Sequence, residues 1–145
     1  MRRLLGPVFV LLLSVATGVA SPVRADELGS GEAAAIRSVI ENQMAAFKVD
    51  DGPAAFAYAS PTIQELFQTP EIFMSMVKTG YAPVYRPQEV EFRELMQAAR
   101  GPVQVVHIVG PDGRAVLALY SMEQQPDGSW RIDGCTLTEA PDVGT

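Results

Sequence analysis

The stretch "PVQVVHIVGPDGRAVLALYSMEQQPDGSWRIDGCTL", Pro102 to Leu137, decides the fold. Three apolar runs rich in β-branched and aromatic residues are separated by GPDG and QPDG, two strong turn signals. Connections that short join antiparallel neighbours, so the segment reads as a meander of three strands. In SWRIDG, Trp130 and Ile132 share one face and Arg131 and Asp133 point the other way, to solvent. Gly134 is the expected site of a bulge that returns Cys135 and Leu137 inward.

Upstream the period changes from two to between three and four. Ile36, Val39, Ile40, Met44 and Phe47 line one face of a helix expected over Glu32 to Lys48, and Gln43 falls on the same stripe. A buried amide there needs a partner or a cavity. Three further helix starts carry the same device, a capping side chain followed by proline: Asp51 or Gly52 with Pro53, Ser60 with Pro61, and Thr69 with Pro70. Glu71 suits the positive end of the last of these helices, and Gly80 is expected to end it in a left-handed conformation. In GYAPVYRP, Pro83 and Pro87 flank an expected extended run, with Tyr81, Pro83 and Tyr85 on one side and Val84 and Arg86 on the other. EVEFREL then continues as a strand that buries Val90, Phe92 and Leu95.

Helices followed by strands predict an α+β fold, with N-terminal helices packed on one face of a curved antiparallel sheet of three or four strands. The GYAPVYRP corner would close the mouth between the long helix and the sheet. The expected organisation is a signal peptide over 1–25, a flexible lead-in over 26–31, one α+β domain over 32–138 and a flexible tail over 139–145. Arg2 and Arg3 form the charged start of the signal, Leu4 to Ala16 its apolar region, and cleavage fits after Ala20 or Ala25. The expected location is the periplasm or the exterior.

Removing residues 1–25 takes Arg2, Arg3 and Arg24, so basic residues fall from 11 to 8 against 17 acids, a net charge of −9. That surface repels phosphate backbones and anionic lipid, so neither nucleic acid nor a membrane is an expected partner. Cys135 is the only cysteine, so no internal disulfide can form and stability rests on the core.

The chemistry-bearing residues are sparse. Cys135 and His107, the only histidine, would lie roughly 11–12 Å apart across the meander, with Cys135 opposite Leu119 and Leu119 opposite Val105; hydrogen-bond reach is about 3 Å. No G-x-S-x-G elbow occurs, and one histidine with one cysteine gives no metal spacing. Met74 and Met76 stand two apart and do not face one another on a helix. No metal or cofactor is expected. Asp50 and Asp51 sit at a helix end, where capping is the ordinary role; either would be the base of an isomerase or cyclase with Tyr85 as proton donor.

What remains is aromatic: Phe47, Phe56, Tyr58, Phe73, Tyr81, Tyr85, Tyr120 and Trp130 make either a plain core or the wall of an apolar cavity with a few orienting groups. On the cavity reading the ligand-binding residues are Gln43, Phe47, Tyr81, Tyr85, Arg86, Tyr120 and Trp130, and the partner is a small apolar or amphipathic molecule. Arg86 either holds an anionic group or bridges to an acid such as Glu89 or Asp51.

The strings ASPTIQ (Ala59 to Gln64), GYAPVYRP (Gly80 to Pro87) and WRIDGC (Trp130 to Cys135) resemble a bacterial family catalogued as a domain of unknown function, over about a hundred residues from near Ile36 to Leu137. Its members are mostly small exported proteins of Gram-negative bacteria, and the resemblance implies no activity and no catalytic residue. The order of elements is also similar to the nuclear transport factor 2-like, or cystatin-like, cone, a likeness of fold alone. That superfamily holds isomerases, cyclases, non-catalytic domains and transport adaptors. The catalytic tyrosine and aspartates of its isomerases have no matching motif here. The superfamily also implies that a homodimer, or docking on another protein through the sheet, is open to this chain.

Overall fold

Each turn of the meander is closed by its own aspartate. Asp112 accepts from the Arg114 N–H at 3.0 Å, and Asp127 accepts from the Ser129 N–H at 2.9 Å. Gly113 and Gly128 follow with φ of 78° and 87°, a region glycine enters without steric cost. The structure is a computed structural model describing residues 28–141, so the expected signal peptide and the last residues of the expected tail lie outside the described residues.

The chain runs α1 (Ser30–Lys48), α2 (Gly52–Ala57), α3 (Pro61–Phe67), α4 (Pro70–Gly80), α5 (Ala82–Tyr85), β1 (Glu89–Ala98), β2 (Gly101–Val109), β3 (Ala115–Gln124) and β4 (Trp130–Glu139). The strands form one antiparallel sheet in the order β1-β2-β3-β4. The fold is therefore α+β, with helices ahead of an open curved sheet. The capping prediction is met at three starts: Asp51, Ser60 and Thr69 each accept a backbone N–H, from Ala54, Ile63 and Ile72, with a proline in the first turn.

The apolar stripe of α1 lies on the inner face of the sheet. Ile36, Ile40, Met44 and Phe47 share one cluster with Val106, Ile108, Ala118, Tyr120, Met122, Trp130 and Ile132. Fully burying a side chain of the Ile or Phe class contributes about 1.5–3 kcal/mol, so this seam is the main support of a fold with no disulfide. The opposite face carries Val103, Val105, Leu117 and Leu119, which stand outside the cluster that α1 joins, although Val105 is itself buried.

Several details differ from the sequence reading. Helix α1 begins at Ser30, two residues early, and takes in Gly31. Gly80 does not adopt a positive φ; α4 passes into α5 across Tyr81 (φ −134°), and the non-glycine residues with positive φ among the described residues are Asp50 (φ 55°) and Gln68 (φ 67°). Residues Ala82 to Tyr85 are a helical turn rather than an extended run, because Pro83 stands in the first turn, where its missing N–H costs nothing. Pro87 then forces Arg86 out of the helical region (φ −140°, ψ 66°). Val90 is exposed, on the edge strand β1.

The expected bulge is present at Asp133, between the pairs Met122–Ile132 and Ser121–Gly134. It shifts the register by one, so Cys135 faces Tyr120 rather than Leu119, while Leu119 does face Val105. It also changes the fate of its neighbours. Asp133 accepts from the Ser60 hydroxyl at 2.7 Å, and Arg131 donates to the Ala57 carbonyl at 2.8 Å, so both bind the chain between α2 and α3 rather than point to solvent. His107 pairs with Leu117 on the outer face and Cys135 with Tyr120 on the inner, which separates that dyad by the full sheet.

Candidate functional site

Where α3 and α4 approach β4 they do not close on it. They leave a cavity of about 330 Å³ between them, backed by Phe47 of α1 and floored by Tyr120, Ile132 and Cys135. Phe73 is the hub of its aromatic wall, with ring centroids 6.1 Å from Phe47, 5.3 Å from Phe56 and 5.8 Å from Phe67. Offset and tilted pairs at such distances add to the burial of each ring. Ile63, Leu66, Phe67 and Met76 surround the opening, and Leu66 is 70% exposed.

The wall is uncharged: none of the residues lining this cavity is Asp, Glu, Lys, Arg or His. Its polar groups are few and mostly committed. Tyr81 donates to the Cys135 carbonyl at 2.8 Å. Gln43, 4% exposed, donates through Nε2 to the Ala55 carbonyl at 3.1 Å. The Tyr120 hydroxyl is sealed among its neighbours beside the Cys135 side chain, with no partner among the described residues that meets ordinary hydrogen-bond geometry. Burial pushes the Cys135 thiol up to about 12 and the Tyr120 phenol well above its ordinary range. Both stay protonated near neutrality, so Cys135 is not an activated nucleophile.

The seven residues of the sequence-based site divide. Gln43, Phe47, Tyr81 and Tyr120 line the cavity. Trp130 is buried in the core at the start of β4 and does not line it. Tyr85 and Arg86 belong to a separate surface cluster. Tyr85 donates to Asp50, the Arg86 guanidinium stacks 3.9 Å from the Tyr85 ring centroid, and Arg86 donates both to Asp50 at 3.0 Å and to the Phe47 carbonyl at 2.6 Å. The bridge from Arg86 thus goes to Asp50, not to Glu89 or Asp51, and Asp51 is spent on its cap. The Tyr85 hydrogen bond, and then Arg86, hold the Asp50 carboxyl below the usual carboxylate range, while Asp50 raises the Tyr85 phenol. A depressed carboxylate bound to a raised phenol is a poorer base and a poorer acid than either alone.

The sequence reading missed Ile63, Phe67, Met76 and Cys135 as lining residues. Ile63 and Phe67 stand four apart in a helix, and that spacing was the available signal. Among the described residues no group of three or more His, Cys, Asp or Glu comes together, and no helix is long and apolar enough to cross a membrane.

A family model described as "Domain of unknown function (DUF4864)" matches residues 30–145. The chain belongs to the DUF4864 family. The DUF4864 match spans every helix and strand described above, from the first residue of α1 onward. No curated protein and no solved structure matches the chain significantly.

Proposed function

We propose that this DUF4864 domain is a non-catalytic binding protein that holds one small apolar or amphipathic molecule between α3, α4 and β4, in the periplasm once residues 1–25 are removed, on a cone of the nuclear transport factor 2-like type. The observation that carries the reading is the uncharged cavity of about 330 Å³ with its aromatic wall and apolar rim. Binding sites are typically concave, mostly apolar and provided with a few placed polar groups, within about 300–1,000 Å³. The surface cluster of Asp50, Tyr85 and Arg86 serves as a latch between the end of α1 and α5, which leaves the isomerase or cyclase alternative without an acid or base in the cavity. The test is titration with the neutral dye N-phenyl-1-naphthylamine. Saturable fluorescence enhancement at one dye per chain supports the reading, and no saturable signal overturns it.

A second reading is favoured by the outer face of the sheet, where a buried Val105 pairs with a half-buried Leu119 across β2 and β3, with half-buried Val103 and Leu117 alongside. On this reading the chain pairs with a second copy, or docks on another protein, through that face. A monomer in sedimentation at high concentration removes the homodimer.

A further inference from the structure

Resting on the cavity reading, we infer that the preferred occupant is an uncharged molecule with an apolar body and one hydrogen-bond donor, an alcohol or a phenol, which donates to Oε1 of Gln43. Gln43 is nine-tenths buried and lines the cavity. Its orientation is fixed by chemistry, since the Ala55 carbonyl only accepts and the amide must therefore turn Nε2 toward it. That leaves Oε1, which takes no hydrogen bond among the described residues. The Tyr120 hydroxyl is the only sealed and unpartnered side-chain oxygen or nitrogen among the described residues, so Gln43 Oε1 keeps some accessible surface, and the proposed contact places that surface on the space that Gln43 lines.

The other polar groups do not compete for the same ligand atom. The Tyr81 hydroxyl is bound to the Cys135 carbonyl, the Tyr120 hydroxyl is shut off from the space, Thr136 stands opposite Leu119 and so turns its side chain to the outer face, and the Cys135 thiol is only a weak donor. An acceptor is thus the free polar function, and a donor on the ligand satisfies it. A buried acceptor left without a partner is unfavourable, so an isostere lacking the donor binds less well. Charge is selected against independently. A carboxylate or ammonium entering this wall would shed its hydration with no ionic partner among the lining residues.

The test is a matched series titrated calorimetrically into the full chain at pH 7: 2-naphthol, 2-methoxynaphthalene and 2-naphthoate. The expected result is that 2-naphthol binds about tenfold more tightly than 2-methoxynaphthalene, the effect of one good hydrogen bond, and that 2-naphthoate binds most weakly. Gln43→Met is expected to erase the difference between the first two. Equal affinity of 2-naphthol and 2-methoxynaphthalene for the unaltered chain overturns the donor assignment and leaves the cavity reading standing. Tightest binding by 2-naphthoate overturns the exclusion of charge. Binding by none of the three, together with no response to N-phenyl-1-naphthylamine, removes the cavity reading itself.

Discussion

The Tyr81 hydroxyl donates to the main-chain carbonyl of Cys135, 2.8 Å away and 54 residues on. One bond thus ties the junction of α4 and α5 to β4 just beyond its bulge, at the edge of the cavity. Desolvation raises the Tyr81 phenol, so the donor form is the one present. Tyr81→Phe removes the bond with little change of shape and is expected to cost about 1 kcal/mol. Urea denaturation measures it.

Ser60 ties the start of α3 to β4. It is fully buried, caps α3 through the Ile63 N–H at 3.3 Å, donates to Asp133 at 2.7 Å and bonds through its own N–H to the Ile132 carbonyl at 2.8 Å. Ser60→Ala keeps only the last of these. It is expected to cost about 2 kcal/mol, combining a lost cap with a part-buried bond to a carboxylate. Thermal unfolding checks it, and Ser60→Thr, which retains the hydroxyl, is expected to recover part of the loss.

Asp50 sits at φ 55°, where a side chain is strained, while its carboxylate holds Tyr85 and Arg86. Two opposed effects follow. Asp50→Ala loses the bonds and keeps the strain, whereas Asp50→Gly loses the bonds and relieves it, so the glycine variant is expected to be the more stable of the two. Arg86→Ala is expected to be worse than Asp50→Asn, because Arg86 also donates to the Phe47 carbonyl at the end of α1, beside that carbonyl's backbone bond from Asp50. Parallel urea titrations of the four variants give the order.

The thiol sets an alkaline limit. Burial raises Cys135 from 9.0 to about 12, and a folded-state value above the unfolded one contributes stability that is complete below the unfolded value. Stability is therefore expected to stay level below about pH 9 and to fall as pH rises toward 12, with Tyr120 adding in the same direction. Cys135→Ala makes the fall shallower. At pH 8 the folded chain is expected to react with Ellman's reagent far more slowly than the chain in urea.

The meander and the three helix starts were legible because each is local: a proline beside a capping side chain, an aspartate before a turn glycine. The inward return of Cys135 was legible from Gly134 for the same reason. The one-residue register shift was not, since it depends on which residue of "RIDG" leaves the ladder, and Asp133 leaves it with Ser60, 73 residues away, as its partner. Helix α5 was misread because a proline opening a helical turn and one flanking a strand look alike in sequence; the Val84 and Tyr85 N–H bonds to the Tyr81 carbonyl decide between them. Four of the sixteen lining residues were visible beforehand as site residues, Gln43 as a polar group on an apolar stripe and Phe47, Tyr81 and Tyr120 as members of the aromatic set. The α3 wall was not, because Ile63 and Phe67 have the spacing of ordinary core residues and only the gap beside β4 separates lining from packing.

The most direct test of the binding reading is a ¹H–¹⁵N titration of the full chain with 2-naphthol. Saturable shifts are expected at the amides of Gln43, Phe47, Phe73, Tyr81 and Cys135, around the cavity, with the outer sheet face unmoved. Shifts confined to Leu117 and Leu119, or no saturable shift at all, would contradict it.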